Sequence, residues 1–144
     1  MGQASDVMDR LMAGMEAKDR EALAGCFAVD AVMATADQGG ISGREAIADY
    51  FFHFWEAMPD VRYEQSARHE AGDVAIVEGF VAGSNTGQLS LPGGGTLPPT
   101  RKQVRIRSCD VATVEAGVIT GYHAYFDQME LLGQLGLLPE LSKQ

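Results

Sequence analysis

At 144 residues, with 46% apolar and 22% charged side chains, the chain has the length and composition of one folded domain. Its formal net charge of −9 gives a surface that repels phosphate backbones, so we expect no nucleic-acid partner. The N-terminal residues MGQASDVMDRL contain no signal-like or membrane-spanning apolar run, and Cys26 and Cys109 have neither metal nor redox spacing. We therefore predict a single domain over residues 1–144 that is cytoplasmic, reduced and without a membrane partner.

The first half of the chain carries the apolar spacing of helices. Ser5 and Asp6 can cap a first helix, whose inward residues are Val7, Met8, Leu11, Met12 and Met15. Asp19 can cap a short second helix, and the segment AVMATA predicts a short strand after it. The segment GGISG breaks the chain before a third helix, which Pro59 ends. The apolar stripe of this third helix consists of Ile47, Tyr50, Phe51, Phe54, Trp55 and Met58.

The second half changes to the period of two that is typical of strands. Four strands are predicted, in the segments VRYEQSARHE, VAIVEGFVAGSNT, QVRIRSCDVATVE and VITGYHAYF. The turns AGD and EAG are short enough for hairpins, so these strands should pair antiparallel. The segment LPGGGTLPP predicts a lid or rim over a pocket. Helices followed by a run of strands indicate an α+β fold, with the helices on one face of a curved sheet.

Three segments carry a resemblance to a known family: SGREAIADYFFHFWEAMPDVRYE, LPPTRKQVRIRSCDVATVEAGVI and YFDQMELLGQLGLLP. In this order and spacing the chain resembles, from about Val7 to Pro139, the SnoaL-like branch of the nuclear transport factor 2-like superfamily. Arg101 departs from the family's pattern, because it stands where this loop usually has glycine. The resemblance implies a conical barrel, in which a curved, mostly antiparallel sheet wraps round a pocket closed by about three N-terminal helices, with a short C-terminal helix. It also implies a homodimer through the outer face of the sheet.

Relatives in this superfamily include polyketide cyclases, which catalyse an intramolecular aldol closure, and limonene epoxide hydrolases. The resemblance places the catalytic aspartate of the cyclases at Ala124, on the last strand. It places a further arginine and aspartate of the hydrolases at Gly79 and Val81. Both sets of catalytic residues therefore lack their central acid in this chain, so any working site should lie deeper, on the preceding strand.

Three polar residues are candidates for acid–base chemistry. Alternation along QVRIRSCDVATVE points Asp110 inward together with Val104 and Ile106, where a carboxylate either raises its pKa or finds a hydrogen-bond donor. Asp110 can then shuttle a proton, or it can be held for structure alone. Tyr122 shares the inward face and either orients a carbonyl group or bonds within the core. Asp37, in ATADQGG, either forms a turn or assists at the mouth of the pocket.

Other polar residues near the last strand have structural interpretations. Asp127 followed by Glu130 predicts a capping-box start for the C-terminal helix rather than a catalytic pair. His123 alternates with Tyr122 and therefore faces outward, toward solvent or a dimer interface. No cluster of histidine, aspartate and glutamate has metal-ligand spacing, so we expect neither a metal nor another cofactor.

The sequence thus predicts a pocket for a small, largely apolar molecule that bears a carbonyl group. The residues expected to line it are Tyr50, Phe54, Trp55, Ala124 and Phe126. The leading hypothesis is a cofactor-free isomerase or cyclase, with Asp110, Tyr122 and Asp37 as the acid–base residues. A non-catalytic binder of a small metabolite is the first alternative, and Ala124 favours it. The second alternative is a dimeric interaction module that works through the outer face of the sheet.

Overall fold

A computed structural model describes residues 2–91 and 94–138 of the chain. These residues form four helices: α1 (Gln3–Ala17), α2 (Arg20–Ala24), α3 (Arg44–Ala57) and α4 (Gln128–Leu135). The same residues form eight strands: β1 (Phe27–Thr35), β2 (Gly39–Ser42), β3 (Arg62–Ala71), β4 (Val74–Ser84), β5 (Leu89–Ser90), β6 (Thr96–Leu97), β7 (Gln103–Glu115) and β8 (Val118–Phe126). Pro92 and Gly93 of the predicted rim, and Pro139 at the end of the family resemblance, lie outside the described residues.

Six of the described strands form one curved sheet in the order β2-β1-β8-β7-β4-β3. β1 and β8 pair in parallel, and the other neighbours in this sheet pair antiparallel. The edge strands β2 and β3 do not pair with each other, so the barrel stays open on one side. The predicted α+β architecture is confirmed, including the short C-terminal helix. None of the helices in the described residues is long and apolar enough to cross a membrane.

Helix α1 is capped differently from the prediction. It begins at Gln3, so Ser5 and Asp6 lie inside the helix. Glu70, at the end of β3, supplies the missing acceptor, because its carboxylate accepts from the backbone N–H of Gly2 at 3.0 Å and of Ser5 at 3.4 Å. A carboxylate near a helix N-terminus is favourable for its free N–H groups and its dipole. The expected local cap is therefore wrong, and a strand supplies the cap instead.

The predicted local caps and turns at three other places are confirmed. Asp19 caps α2 by accepting from the N–H of Ala22 at 3.1 Å. The two hairpins close through two-residue turns, 72–73 between β3 and β4 and 116–117 between β7 and β8. Both residues of the second turn have positive φ, as the right-handed twist of a tight hairpin requires.

Two segments around the third helix depart from the expectation. GGISG is not an irregular break, because its residues 39–42 pair with β1 as an edge strand. Only Gly43, with φ of 95°, breaks the chain before α3. Arg101 has φ of 65°, so it adopts the left-handed backbone for which glycine is suited, although it carries a side chain.

The alternation predicted along β7 is confirmed and places the site. Val104, Ile106 and Ala112 are buried against the helices, whereas Arg105 and Arg107 are exposed on the opposite, convex face. A strand with this alternation has its even-numbered side chains on the concave face of the sheet. Residue 110 therefore points toward the space between the sheet and α3.

Candidate functional site

A small cavity of about 50 Å³ lies between α3 and the concave face of the sheet, and we call it the inner chamber. Its polar wall consists of Tyr50, Tyr63, Ser108, Asp110 and Tyr122. Its apolar wall includes Met33, Phe51, Phe54, Ala124 and Phe126. A space of this size holds a few water molecules, so a larger ligand requires the side chains around it to move.

Asp110 is the acidic residue of this chamber, and its surroundings make it an unusually strong base for a carboxylate. The hydroxyl group of Tyr122 donates a hydrogen bond to its Oδ2 atom. Burial raises the pKa of Asp110 from its ordinary value of 3.8 to about 6, although the hydrogen bond from Tyr122 acts in the opposite direction. At neutral pH the group is therefore mostly ionised and still close enough to its pKa to exchange a proton readily.

Three tyrosines surround this carboxylate, and all three are held in the protonated form. Burial raises the pKa of Tyr50, Tyr63 and Tyr122, and the negative charge of Asp110 raises each of them further. Phenol groups in this state are hydrogen-bond donors. The chamber thus combines one carboxylate with three donors.

The three donors differ in what they already bind. Tyr122 donates to Asp110, and Tyr50 donates to the Oδ1 atom of Asp37 at 3.0 Å. Tyr63 accepts a hydrogen bond from the Nε1 atom of Trp55 at 3.1 Å. Within the described residues this is the one hydrogen bond of the Tyr63 hydroxyl group, so its own proton is free to be donated into the chamber.

The strand register brings Asp110 next to the position where the resemblance places the cyclase aspartate. Asp110 on β7 lies directly opposite Ala124 on β8. Side chains paired in this way lie on the same face, with Cβ atoms roughly 4.5–5.5 Å apart. The chamber therefore has a carboxylate one strand away from the expected position. Gly79, at one of the hydrolase positions, has no room for a longer side chain, because a Cβ atom there would lie 1.9 Å from the carbonyl oxygen of Glu64.

A second cavity of about 100 Å³ lies beside the first, and we call it the outer chamber. It is bounded by α3, by the segment 89–91 and by the leucines of α4. Tyr50 and Phe54 line both chambers and separate them. Leu91, the first residue of the predicted rim, lines this chamber, whereas residues 94–99 of that segment do not.

The structure brings together most of the residues predicted for the site. Asp110 and Tyr122 meet in the inner chamber, whereas Asp37 lines the outer chamber and reaches the inner one through its bond to Tyr50. Four of the five predicted lining residues, Tyr50, Phe54, Ala124 and Phe126, line the inner chamber. Trp55 lines neither chamber and lies buried behind the wall, where it orients Tyr63.

Tyr63 and Ser108 are site residues that the sequence analysis did not single out. Ser108 alternates with Ile106 and Asp110, but alternation alone does not distinguish a pocket residue from a core residue. Tyr63 lies on β3, where a register shift between Gln65 and Ala67 disturbs the alternation. The signal at Tyr63 was therefore weak, because a bulge interrupts the period of two.

The remaining polar residues near the last strand have structural roles. Asp127 caps α4 by accepting from the N–H groups of Met129 at 2.9 Å and Glu130 at 3.3 Å. The predicted capping box is only half formed, because the carboxylate of Glu130 accepts from the backbone N–H of Arg107 on β7 instead. His123 is exposed and bonds Tyr125 through its Nδ1 atom at 2.8 Å. Among the described residues no three histidine, cysteine, aspartate or glutamate side chains are grouped so that they could hold a metal ion.

The fold and this site define a class of small α+β proteins in which a pocket lies between helices and the concave face of a curved sheet. The chain belongs to the family of the SnoaL-like domain, whose family model matches residues 8–122. The resemblance inferred from the three sequence segments is thereby confirmed. No curated protein matches the chain significantly.

Solved structures show the same fold at low sequence identity. A candidate SnoaL-like polyketide cyclase from Jannaschia sp. CCS1 is 16% identical with a TM-score of 0.81, over 95% of this chain and 94% of that chain. IdmH, a candidate polyketide cyclase from Streptomyces antibioticus, is 22% identical with a TM-score of 0.75, over 94% and 99%. A protein with a ketosteroid isomerase-like fold from Catenulispora acidiphila is 19% identical with a TM-score of 0.75, over 92% and 93%. At these identities the likeness shows the fold alone.

Proposed function

We propose that the chain binds a small, largely apolar, carbonyl-bearing metabolite and catalyses cofactor-free acid–base chemistry on it, either an isomerisation or an intramolecular aldol-type cyclisation. The observation that carries this proposal is the carboxylate of Asp110 in the inner chamber, directly opposite Ala124 and with a pKa of about 6. Perturbed carboxylates in apolar pockets are candidates for proton transfer. The names of the similar structures, as candidate polyketide cyclases, support the same class of chemistry.

The proposed first step removes a proton from the carbon next to the carbonyl group. Asp110 accepts that proton, the electron pair of the broken C–H bond forms a C=C bond to the carbonyl carbon, and the π pair of the carbonyl group moves onto its oxygen to give an enolate. Tyr63 donates its free hydroxyl proton in a hydrogen bond to this oxygen, where the negative charge develops. Tyr122 holds the carboxylate in position through its own hydrogen bond, so we assign Tyr63, and not Tyr122, to the carbonyl group.

The second step returns the same proton. In an isomerisation, protonated Asp110 delivers it to a different carbon of the conjugated enolate. In a cyclisation, the enolate carbon attacks a second carbonyl group of the same molecule, and the new alkoxide takes the proton from Asp110. Either route regenerates the carboxylate and consumes no cofactor. Asp37 contributes indirectly, because it holds Tyr50 in the wall between the two chambers.

The test is deuterium incorporation next to the carbonyl group of methyl nonyl ketone, followed by NMR in heavy water. We expect the protein to accelerate incorporation over buffer, and Asp110→Asn to lower the protein-catalysed rate by about 100-fold or more. Tyr63→Phe should cause a smaller loss, because it removes one donor and leaves the base. Asp30→Asn makes the same chemical change at an exposed residue of β1 and should keep the full rate. A full rate in Asp110→Asn would contradict the assignment of the base.

A non-catalytic binding protein is the second candidate function. Ala124 at the position of the cyclase aspartate and the small inner chamber favour it. This alternative predicts saturable binding of the ketone, while deuterium incorporation stays at the rate of buffer alone. The same experiment therefore separates the two functions.

We also propose a homodimer that forms through the convex face of the sheet. Tyr125 on β8 and Val32 on β1 are large apolar residues on this face, and they are 55% and 51% exposed. Their strands are neighbours in the sheet, so the two side chains belong to one surface. Apolar side chains grouped on one surface favour association with a partner.

A further inference from the structure

We propose that the outer chamber is a second binding subsite, which takes a neutral apolar arm of the substrate ending in a hydrogen-bond donor such as a hydroxyl group. The substrate is then a two-part molecule, with its carbonyl group in the inner chamber and its arm in the outer chamber. This inference rests on the proposed function for the position of the carbonyl end. We infer the position of the arm from the outer chamber itself.

The two chambers are adjacent and unequal. They share Tyr50 and Phe54 as a common wall, and both of these side chains are only partly buried. Because Phe54 contributes its side chain to this wall, we infer that a change of its rotamer joins the chambers without any change of the backbone. The outer chamber is about 100 Å³ against about 50 Å³ for the inner one. The larger part of a ligand therefore belongs in the outer chamber.

The outer chamber is mostly apolar. The residues that line it on α4 and just beyond this helix are Leu131, Leu132, Leu135 and Leu137. Leu89 and Leu91 close it from the opposite side. Leucine side chains around a cavity favour an apolar occupant, because water in such a space forms few hydrogen bonds.

One polar atom in this wall lacks a partner. The Oε1 atom of Gln128 is buried and forms no hydrogen bond within the described residues. Gln128 also lines the outer chamber, so rotation of its side-chain amide brings this atom to an occupant of the chamber. A buried acceptor without a donor is unfavourable, and a ligand that brings a donor removes this penalty. This atom predicts a hydroxyl or N–H group on the arm.

The charges around the chambers exclude an anionic arm. No lysine or arginine lines either chamber among the described residues, and His53, which lines the outer chamber, is paired through its Nδ1 atom with the carboxylate of Glu56 at 3.2 Å. Asp37 lies in the outer chamber and Asp110 in the inner one, so both carboxylates would repel a carboxylate or phosphate on the ligand. The arm is therefore neutral.

Three ketones that differ at one end test the subsite: methyl nonyl ketone, its derivative with a hydroxyl group at the far end of the nonyl chain, and the matching terminal carboxylic acid. We expect calorimetry to show that the hydroxyl ketone binds the protein about threefold to tenfold more tightly than the plain ketone, the gain of one hydrogen bond. The carboxylic acid should bind most weakly.

Gln128→Leu should remove the advantage of the hydroxyl ketone while the plain ketone binds at least as well as before. Gln103→Leu makes the same change at an exposed residue of β7 and should keep the advantage. The proposal is overturned if the advantage survives in Gln128→Leu, if the carboxylic acid binds most tightly, or if none of the ketones binds.

The outcome is separable from that of the proposed function. If the hydroxyl ketone binds more tightly in a Gln128-dependent way but no deuterium is incorporated, the subsite proposal stands and the proposed catalytic function is wrong. If deuterium incorporation depends on Asp110 but Gln128→Leu has no selective effect on the hydroxyl ketone, the catalytic proposal stands and the subsite proposal is wrong. Asp110→Asn should keep the hydroxyl advantage, because residue 110 lies in the inner chamber.

Discussion

The concave and convex faces of the same sheet shift the pKa of a carboxylate in opposite directions. On the concave face, burial raises the pKa of Asp110. On the convex face, Glu64 accepts from the Nη2 atom of Arg105 at 2.9 Å, and this hydrogen bond lowers the pKa of Glu64. The guanidinium group of Arg105 also lies 3.7 Å from the ring centroid of Phe80.

This difference in pKa shift distinguishes charged residues that pair on the surface from a carboxylate that is suited to proton transfer. The convex charges are exposed and paired, and such pairs change stability little. The concave carboxylate is ionised at a cost to the folded state, which is the condition that gives a carboxylate the basicity for proton transfer. Three sets of substitutions on these two faces test this contrast.

Removal of the acid at residue 110 should abolish most of the activity, and a new acid at residue 124 on the same concave face should partly restore it. Asp110→Ala should lower the rate of deuterium incorporation by about 100-fold or more. Adding Ala124→Asp should recover at least about tenfold, because residues 110 and 124 are directly paired across the two strands.

The matched control places the new acid on the other face. Asp110→Ala combined with His123→Asp adds a carboxylate one residue away, where the side chain is exposed. No recovery is expected from this pair. Equal recovery in both double variants would show that the face does not matter, and the contrast would be wrong.

Removing the charge of Asp110 should stabilise the protein in a pH-dependent way. The folded-state pKa of about 6 lies above the ordinary value of 3.8, so protonation favours the folded state. The stability from this group is fully present below the ordinary value and is lost as the pH rises through about 6. A shift of this size corresponds to about 3 kcal/mol in the free energy of unfolding.

Urea unfolding measures this effect at two pH values. At about pH 7.5, Asp110→Asn should exceed the wild type by as much as about 3 kcal/mol, and near pH 4 the two should approach each other. Asp30→Asn should show no such pH-dependent gain, because its carboxylate is exposed. A gain of the same size at both pH values would contradict burial of the charge as its cause.

Changing the convex face should affect assembly and leave the chemistry almost untouched. Tyr125→Glu places a charge on the proposed dimer surface, where burial of a charge is unfavourable. Light scattering should show a dimer for the wild type and a monomer for this variant. The rate of deuterium incorporation should stay within about twofold of the wild type, since Tyr125 lines neither chamber. A monomeric wild type would remove the dimer proposal.

Much of the fold followed from local patterns. The caps at Asp19 and Asp127 were predictable because each is a bond between a side chain and a backbone N–H group two or three residues later. The inward direction of residue 110 followed from alternation along β7. The segment GGISG was misinterpreted because glycines favour a break, whereas pairing with an existing strand stabilised an edge strand there.

The chambers themselves could be predicted only in part. Tyr50, Phe54, Ala124 and Phe126 were expected at the pocket from the helix stripe and the last strand, and they line the inner chamber. The division of the pocket into two chambers was not foreseeable, because it depends on where Tyr50 and Phe54 of α3 lie between the sheet and the segments around α4. The same holds for Asp37, which lies in the outer chamber and not beside Asp110.

Local sequence patterns were sufficient to predict the class of fold, most of the strands and helices, and the face of β7 on which Asp110 lies. Backbone periodicity and short-range hydrogen bonds depend on residues that are neighbours in the chain. Contacts between groups that are distant in the chain became known from the folded structure. Glu70 caps α1 from a strand, Trp55 orients Tyr63, and the register sets Asp110 opposite Ala124. These contacts depend on the curvature of the sheet and the packing of helices on it, which no short segment specifies alone.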